Sequence, residues 1–122
     1  MTSTSAPSVF EAPVRHLDGM AVIDLRGEIN GTVEEALDQA YRQAAAGNPS
    51  NILLNFKGVS YINSTGIALI VGLLAQARKN HRRLVVFGLS DHYIEIFKIT
   101  RLSDFMDIYA DETSALHEVK NG

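Results

Sequence analysis

A chain of 122 residues is near the commonest domain size, so one hydrophobic core is expected and a second domain would not fit. With 46% hydrophobic and 20% charged residues the composition is that of a soluble globular domain, and the formal net charge of −3 argues against a broad basic surface for nucleic acid, so no direct DNA binding is expected. The absence of cysteine excludes disulfides, thiol catalysis, thiolate metal sites and iron–sulfur clusters, and is compatible with a cytoplasmic setting.

Residues 1–8, Met-Thr-Ser-Thr-Ser-Ala-Pro-Ser, have neither a positive flank nor an apolar centre. They read as a disordered lead-in rather than a secretory signal, followed by a single domain over 9–122. Val9 to Leu17 and Met20 to Arg26 read as two strands joined at Asp18-Gly19, a dipeptide that favours a tight hairpin turn. Thr32 with Glu35 three residues later forms a capping-box signature. Val33, Ala36, Leu37, Ala40, Tyr41 and Ala44 then follow at helical spacing to about Gly47, and Gly47-Asn48-Pro49 ends that helix. Asn51 to Phe56 is mostly apolar, as a central strand covered on both faces would be, and Lys57 to Tyr61 reads as a loop.

A second helix runs from Thr65 to about Lys79. Its apolar residues surround nearly the whole circumference in the first half, which predicts heavy burial. The longest apolar stretch, Ile67 to Ala75, is interrupted by Gly72 and is too short to cross a bilayer, so no membrane insertion is expected. The basic run Arg78 to Arg83 reads as cations complementing the end of this helix and a solvated loop. Leu84 to Phe87 is another buried strand, Ser90 caps a third helix carrying Tyr93, Ile94, Phe97 and Lys98, Asp104 to Tyr109 reads as a short edge strand, and Asp111 opens a last helix to about Val119. The order β-β-α-β-α-β-α-β-α predicts an α/β fold: a small mixed sheet of four to five strands with about four helices packed on it.

Catalytic chemistry finds little support. No Gly-Lys-Ser/Thr occurs between Gly58 and Gly66, so the P-loop lysine is missing. Ile62-Asn63-Ser64-Thr65-Gly66 has isoleucine where a nucleophile elbow needs glycine. His16, His81, His92 and His117 fall on separate elements, without a carboxylate partner or metal-ligand spacing, and no acid/base pair of carboxylates is visible. Neither a catalytic residue, a metal nor a cofactor is assigned. The informative segment is Val59 to Leu74, where small hydroxyl residues stand between a strand-like run and an apolar helix. Ser64 is thereby expected at an exposed helix N-terminus, where unpartnered backbone N–H groups and the macrodipole stabilise an anion. Alternatively, Asn63 or Ser64 is an ordinary N-cap.

Gly27-Glu28-Ile29-Asn30, the strand Asn51 to Phe56 and the segment Val59 to Leu74 together resemble the STAS-domain anti-sigma factor antagonists over nearly the whole chain after Val9. Val85 to Leu89 with Phe97, Ile99, Leu102 and Phe105 also look like that family. The resemblance implies the STAS fold and a switch by partner exchange. In such a switch the unphosphorylated protein binds an anti-sigma factor with serine kinase activity and frees a sigma factor. The kinase phosphorylates the antagonist, and a PP2C-type phosphatase resets it. The family's phosphorylated serine matches Ser64, with Thr65 as an alternative acceptor. Asn63 stands where the family most often has Asp, and Asn30 where it has an acidic residue, so an amide preserves size and cap but removes charge. Contact with a partner is expected around Asn30, Gly31, Thr32, Ser60, Ile62, Asn63, Ser64, Thr65 and Gly66. Gly66 either lets a partner backbone approach or permits close helix–sheet packing. Two other readings stay open: an unswitched STAS scaffold or subunit of a larger signalling or lipid-transport complex, and a small anion- or nucleotide-binding module.

Overall fold

The computed structural model describes residues 9–121; the lead-in expected over 1–8 lies outside them. Five strands, β1 (Val14–Leu17), β2 (Met20–Ile29), β3 (Asn51–Ile62), β4 (Arg83–Phe87) and β5 (Asp107–Tyr109), form one sheet in sequence order. β1 and β2 are the expected antiparallel hairpin, closed by Asp18-Gly19 with Gly19 at φ 74°, and every later pairing is parallel. The crossovers are helical, as parallel neighbours require: α1 (Glu34–Ala45), α2 (Ser64–Lys79) and α3 (Asp91–Ile99), with α4 (Glu112–Asn121) after the last strand. The element order is that read from the sequence.

The helices divide unequally between the two faces. Leu37, Ala40, Tyr41 and Ala44 of α1, Ile70, Leu73, Leu74 and Ala77 of α2 and Phe97 of α3 bury one face, against Ile23, Leu25, Ile52, Leu54, Phe56 and Val86. Phe97 meets Phe56 edge to face, with ring centroids 6.0 Å apart. On the other face, among the described residues, α4 is the one helix that covers Met20, Val22, Leu53, Val85 and Phe87, through Ala115, Leu116 and Val119. Beside that apolar cluster lies a polar one absent from the sequence-based expectations. Asp24, only 8% exposed within the apolar first half of β2, accepts two hydrogen bonds from the Arg15 guanidinium (2.7 and 2.9 Å) and one from the Asn55 amide (2.8 Å). Arg15 donates two more to Glu112 in the first turn of α4, at 3.0 and 2.8 Å. One arginine therefore ties the first strand to the last helix.

Several boundaries differ from the sequence reading, each for a local reason. β1 begins at Val14 rather than Val9. Pro13 cannot donate to a ladder, and among the described residues upstream of it only Glu11 bridges Arg26. The capping box at Thr32 does not form. Asn30 Oδ1 takes both the Thr32 N–H (2.9 Å) and the Thr32 hydroxyl (2.6 Å), the next residues Gly31–Val33 make a 3-10 turn, and α1 starts at Glu34. The expected loop Lys57 to Tyr61 is instead the second half of β3, held by pairing with β2 through Ile29↔Ile62, with irregularities between Asp24 and Arg26 and between Gly27 and Glu28. The edge strand is shorter than expected, because Leu102–Asp104 forms a 3-10 turn first. α2 is also less enclosed than its composition implies: Ala68, Val71, Gly72 and Ala75 face outward, with Val71 44% exposed.

Candidate functional site

β2 and β3 outrun β4. Pairing of β3 with β4 stops at Asn55↔Phe87, whereas its pairing with β2 continues to Ile62. The two long strands thus project beyond the rest of the sheet, and α2 begins on that projection. Asn63 is its N-cap: in extended conformation, it accepts the Gly66 N–H on Oδ1 at 2.8 Å and donates its own N–H to the Ile29 carbonyl at 3.2 Å. Ser64 is therefore the first helical residue rather than the cap, and both Ser64 and Thr65 are exposed. The hydroxyls stand where the helix dipole is most positive. The first turns of α1, α3 and α4 carry Glu34 and Glu35, Asp91, and Glu112, whereas that of α2 carries no acidic residue. Nothing within α2 itself offsets the potential at Ser64.

Gly66 explains how the helix sits so low. It is buried, and a Cβ built on it would stand 2.1 Å from the Ile29 carbonyl oxygen and 2.9 Å from Ile62 Cγ2. Its inward side is filled by the chain's own strand, which favours close helix–strand packing of the two roles open for it. Ile62 is likewise turned inward, 5% exposed. On the exposed side, Gly31 lies against Thr65, where a Cβ would meet Thr65 Cγ2 at 3.2 Å. The 3-10 turn with exposed Gly31 and Thr32, capped by half-buried Asn30, thus borders the first turn of α2. Ser60 is exposed at the second irregularity of β3. The structure accordingly gathers Asn30, Gly31, Thr32, Asn63, Ser64 and Thr65 on one end of the molecule, with Ile62 and Gly66 as their support.

On the other flank of Ser64 the sequence reading missed α3. A groove of about 360 Å³, lined by Tyr61, Ile67, Tyr93 and Ile96 among others, opens next to Ser64. Tyr61 is 51% exposed on its rim. Tyr93 and Ile96 look in sequence like one apolar helix stripe. The parallel order, which sets α3 beside the end of β3, is the signal that could have found them. The four histidines remain apart from one another's elements, and among the described residues no group of three or more His, Asp or Glu is arranged to hold a metal ion. Among them also, no helix is long and apolar enough to cross a membrane.

Fold and site together define a small α/β domain that offers a hydroxyl at a helix N-terminus, ringed by exposed loop residues on one side and an apolar groove on the other. Residues 11–115 match the STAS domain family. The anti-sigma-B factor antagonist of Listeria monocytogenes is 32% identical over 100 residues, covering 82% of this chain and 84% of that protein. Among solved structures, an anti-sigma factor antagonist from Mycobacterium paratuberculosis superposes with a TM-score of 0.81 at 23% identity, covering 95% of this chain and 98% of that one. The Bacillus cell fate determinant SpoIIAA, in its phosphorylated form, superposes with a TM-score of 0.68 at 23% identity, covering 88% of this chain and 98% of that one. The chain belongs to the STAS-domain anti-sigma factor antagonist family, a family of regulatory binding proteins.

Proposed function

We propose that this chain is a phospho-switched anti-sigma factor antagonist acting in the cytoplasm. In its unmodified state it binds an anti-sigma factor with serine kinase activity and so releases a sigma factor; phosphorylation at Ser64 ends that binding, and a PP2C-type phosphatase restores it. The observation that carries this reading is the exposure of Ser64 at the N-terminus of α2, in a first turn without a carboxylate. That SpoIIAA, a protein of the same fold, exists in a phosphorylated form supports it further.

The physical mechanism has two halves. A phosphate adds about −1.5 to −2 charges and three strong acceptor oxygens. At Ser64 the backbone N–H groups and dipole of α2 stabilise that anion within the chain, so the fold survives. A partner packed over Asn30, Gly31, Thr32 and Ser64 would have to desolvate the same dianion, so its affinity falls. Asn63 keeps the cap that orients Ser64, and as a neutral amide it adds no charge of its own beside the incoming phosphoryl group.

The test is incubation of the chain with ATP and the serine kinase that co-purifies with it, followed by intact-mass measurement. One added phosphate on the wild type and none on Ser64→Ala is the expected result. A phosphate that persists on Ser64→Ala moves the acceptor to Thr65 or elsewhere, and no phosphate on either chain overturns the switch in favour of an unswitched scaffold.

A further inference from the structure

β3 ends in a position that leaves two backbone groups in need of partners. Ile62 is buried, and the neighbour on its β4 side is gone, because that pairing ended at Asn55↔Phe87. Asn63 turns the other way and bonds to β2 through the Ile29 carbonyl. The Ile62 N–H and carbonyl therefore point to the side where β4 has ended, where in a longer parallel ladder its backbone would receive them. The hydroxyl of Tyr93, from α3, occupies that place. It accepts from the Ile62 N–H at 2.9 Å and faces the Ile62 carbonyl at 3.4 Å as donor. Its ring is held in turn by an edge-to-face contact with His92, centroids 4.8 Å apart.

We infer that Tyr93 is a positioning residue for Ser64: through its hydroxyl, α3 fixes the last residue of β3 and with it the direction in which α2 presents Ser64. Ile62 is two residues from Ser64, and Asn63 between them is the cap. Asn63 is pinned from the β2 side by the Ile29 carbonyl, Ile62 from the open side by Tyr93, and the two bonds together leave the turn no direction in which to shift. Removing the hydroxyl leaves a buried N–H and carbonyl without partners, and the turn relaxes toward water to satisfy them. Tyr93 also lines the apolar groove beside Ser64, so whatever a partner inserts there presses on the residue that aims the phosphoacceptor. This inference takes its meaning from the reading of Ser64 as the modified residue, but its test does not depend on any kinase.

The chain has no cysteine, so Ser64→Cys introduces a single thiol at the first position of α2. Its rate of alkylation by iodoacetamide against pH reports how well the group is held in the helix potential. A thiol in that place titrates below the value of about 8.5 for free cysteine. Adding Tyr93→Phe, which keeps the ring, is expected to move the midpoint of the pH–rate profile up toward about 8.5 and to slow the reaction at neutral pH about threefold or more. Adding Ile96→Ala, which opens the same groove without touching the Ile62 backbone, leaves the profile in place. An unchanged profile in Tyr93→Phe, or an equal shift from Ile96→Ala, overturns the inference. Should Tyr93→Phe not fold, amide exchange in the unsubstituted chain decides: an Ile62 N–H protected like that of Asn63 supports the clamp, and fast exchange at Ile62 contradicts it. Failure of Ser64 to take phosphate would leave these results standing, and a flat thiol response would leave the phosphorylation test untouched.

Discussion

Gly66→Ala is expected to lower the stability of the domain by about 3 kcal/mol or more, or to prevent folding altogether, since overpacking against backbone ranks among the costliest substitutions. The added methyl would stand 2.1 Å from the Ile29 oxygen and 2.8 Å from its carbonyl carbon. Neither can retreat, because the same carbonyl accepts the Asn63 N–H that seats the cap. Six residues on, Gly72→Ala makes an internal control: nothing lies within 4 Å of a Cβ there, and the gain in helix propensity is expected to stabilise the chain by about 0.5 to 1 kcal/mol. Denaturant unfolding of both variants checks the contrast. Equal, small effects would mean that α2 does not rest on the end of β2 as described.

The second large effect is expected at the polar clasp. Asp24→Ala removes the acceptor of two Arg15 bonds and one from Asn55. Breaking a partly buried charge pair on one side leaves its partners unsatisfied, a loss of about 2 to 3 kcal/mol for a site that retains some solvent on the Arg15 side. The pH dependence has a definite sign. The Arg15 guanidinium, and after it the Asn55 amide, hold the Asp24 carboxyl below its ordinary range despite its burial. A carboxyl whose folded value is depressed contributes stability that is complete above the unfolded value, near 4, and is lost as the pH falls toward the folded one. The wild type should therefore lose stability more steeply than Asp24→Asn below about pH 4. Parallel acid profiles for the two chains would remove the clasp from the account. Arg15 itself stays charged, since Glu112 and then Asp24 raise its guanidinium further.

What could be read in the sequence was local chemistry. Asp18-Gly19 demanded a tight turn and makes one; Ser90 accepts the Tyr93 N–H and Asp111 the Ser114 N–H, as caps do. The alternation of strands and helices then dictated parallel pairing, and the apolar helix after Asn63 located Ser64 to within one position of its cap. What could not be read depended on distant partners. Lys57 to Tyr61 begins with Lys57-Gly58, a pair that favours a loop, and became strand because β2 lies alongside it. Thr32 carried a sound capping signature, which Asn30 overrode by taking its hydroxyl as a donor. Asp24 breaks an apolar run for the sake of Arg15 and Asn55, and Arg15 reaches Glu112 across 97 residues of chain. Tyr93 sat in an apolar stripe, and only the unequal lengths of β3 and β4 made its hydroxyl necessary.

The central claim is that charge at Ser64 decides whether the partner docks, while the fold stays the same. Isothermal titration of the purified anti-sigma kinase with unmodified chain and with chain phosphorylated at Ser64 tests it most directly. The account predicts a loss of affinity of about a hundredfold or more on phosphorylation, which corresponds to about 2.7 kcal/mol, with superimposable circular dichroism spectra for the two forms. Equal affinities for both forms would contradict it.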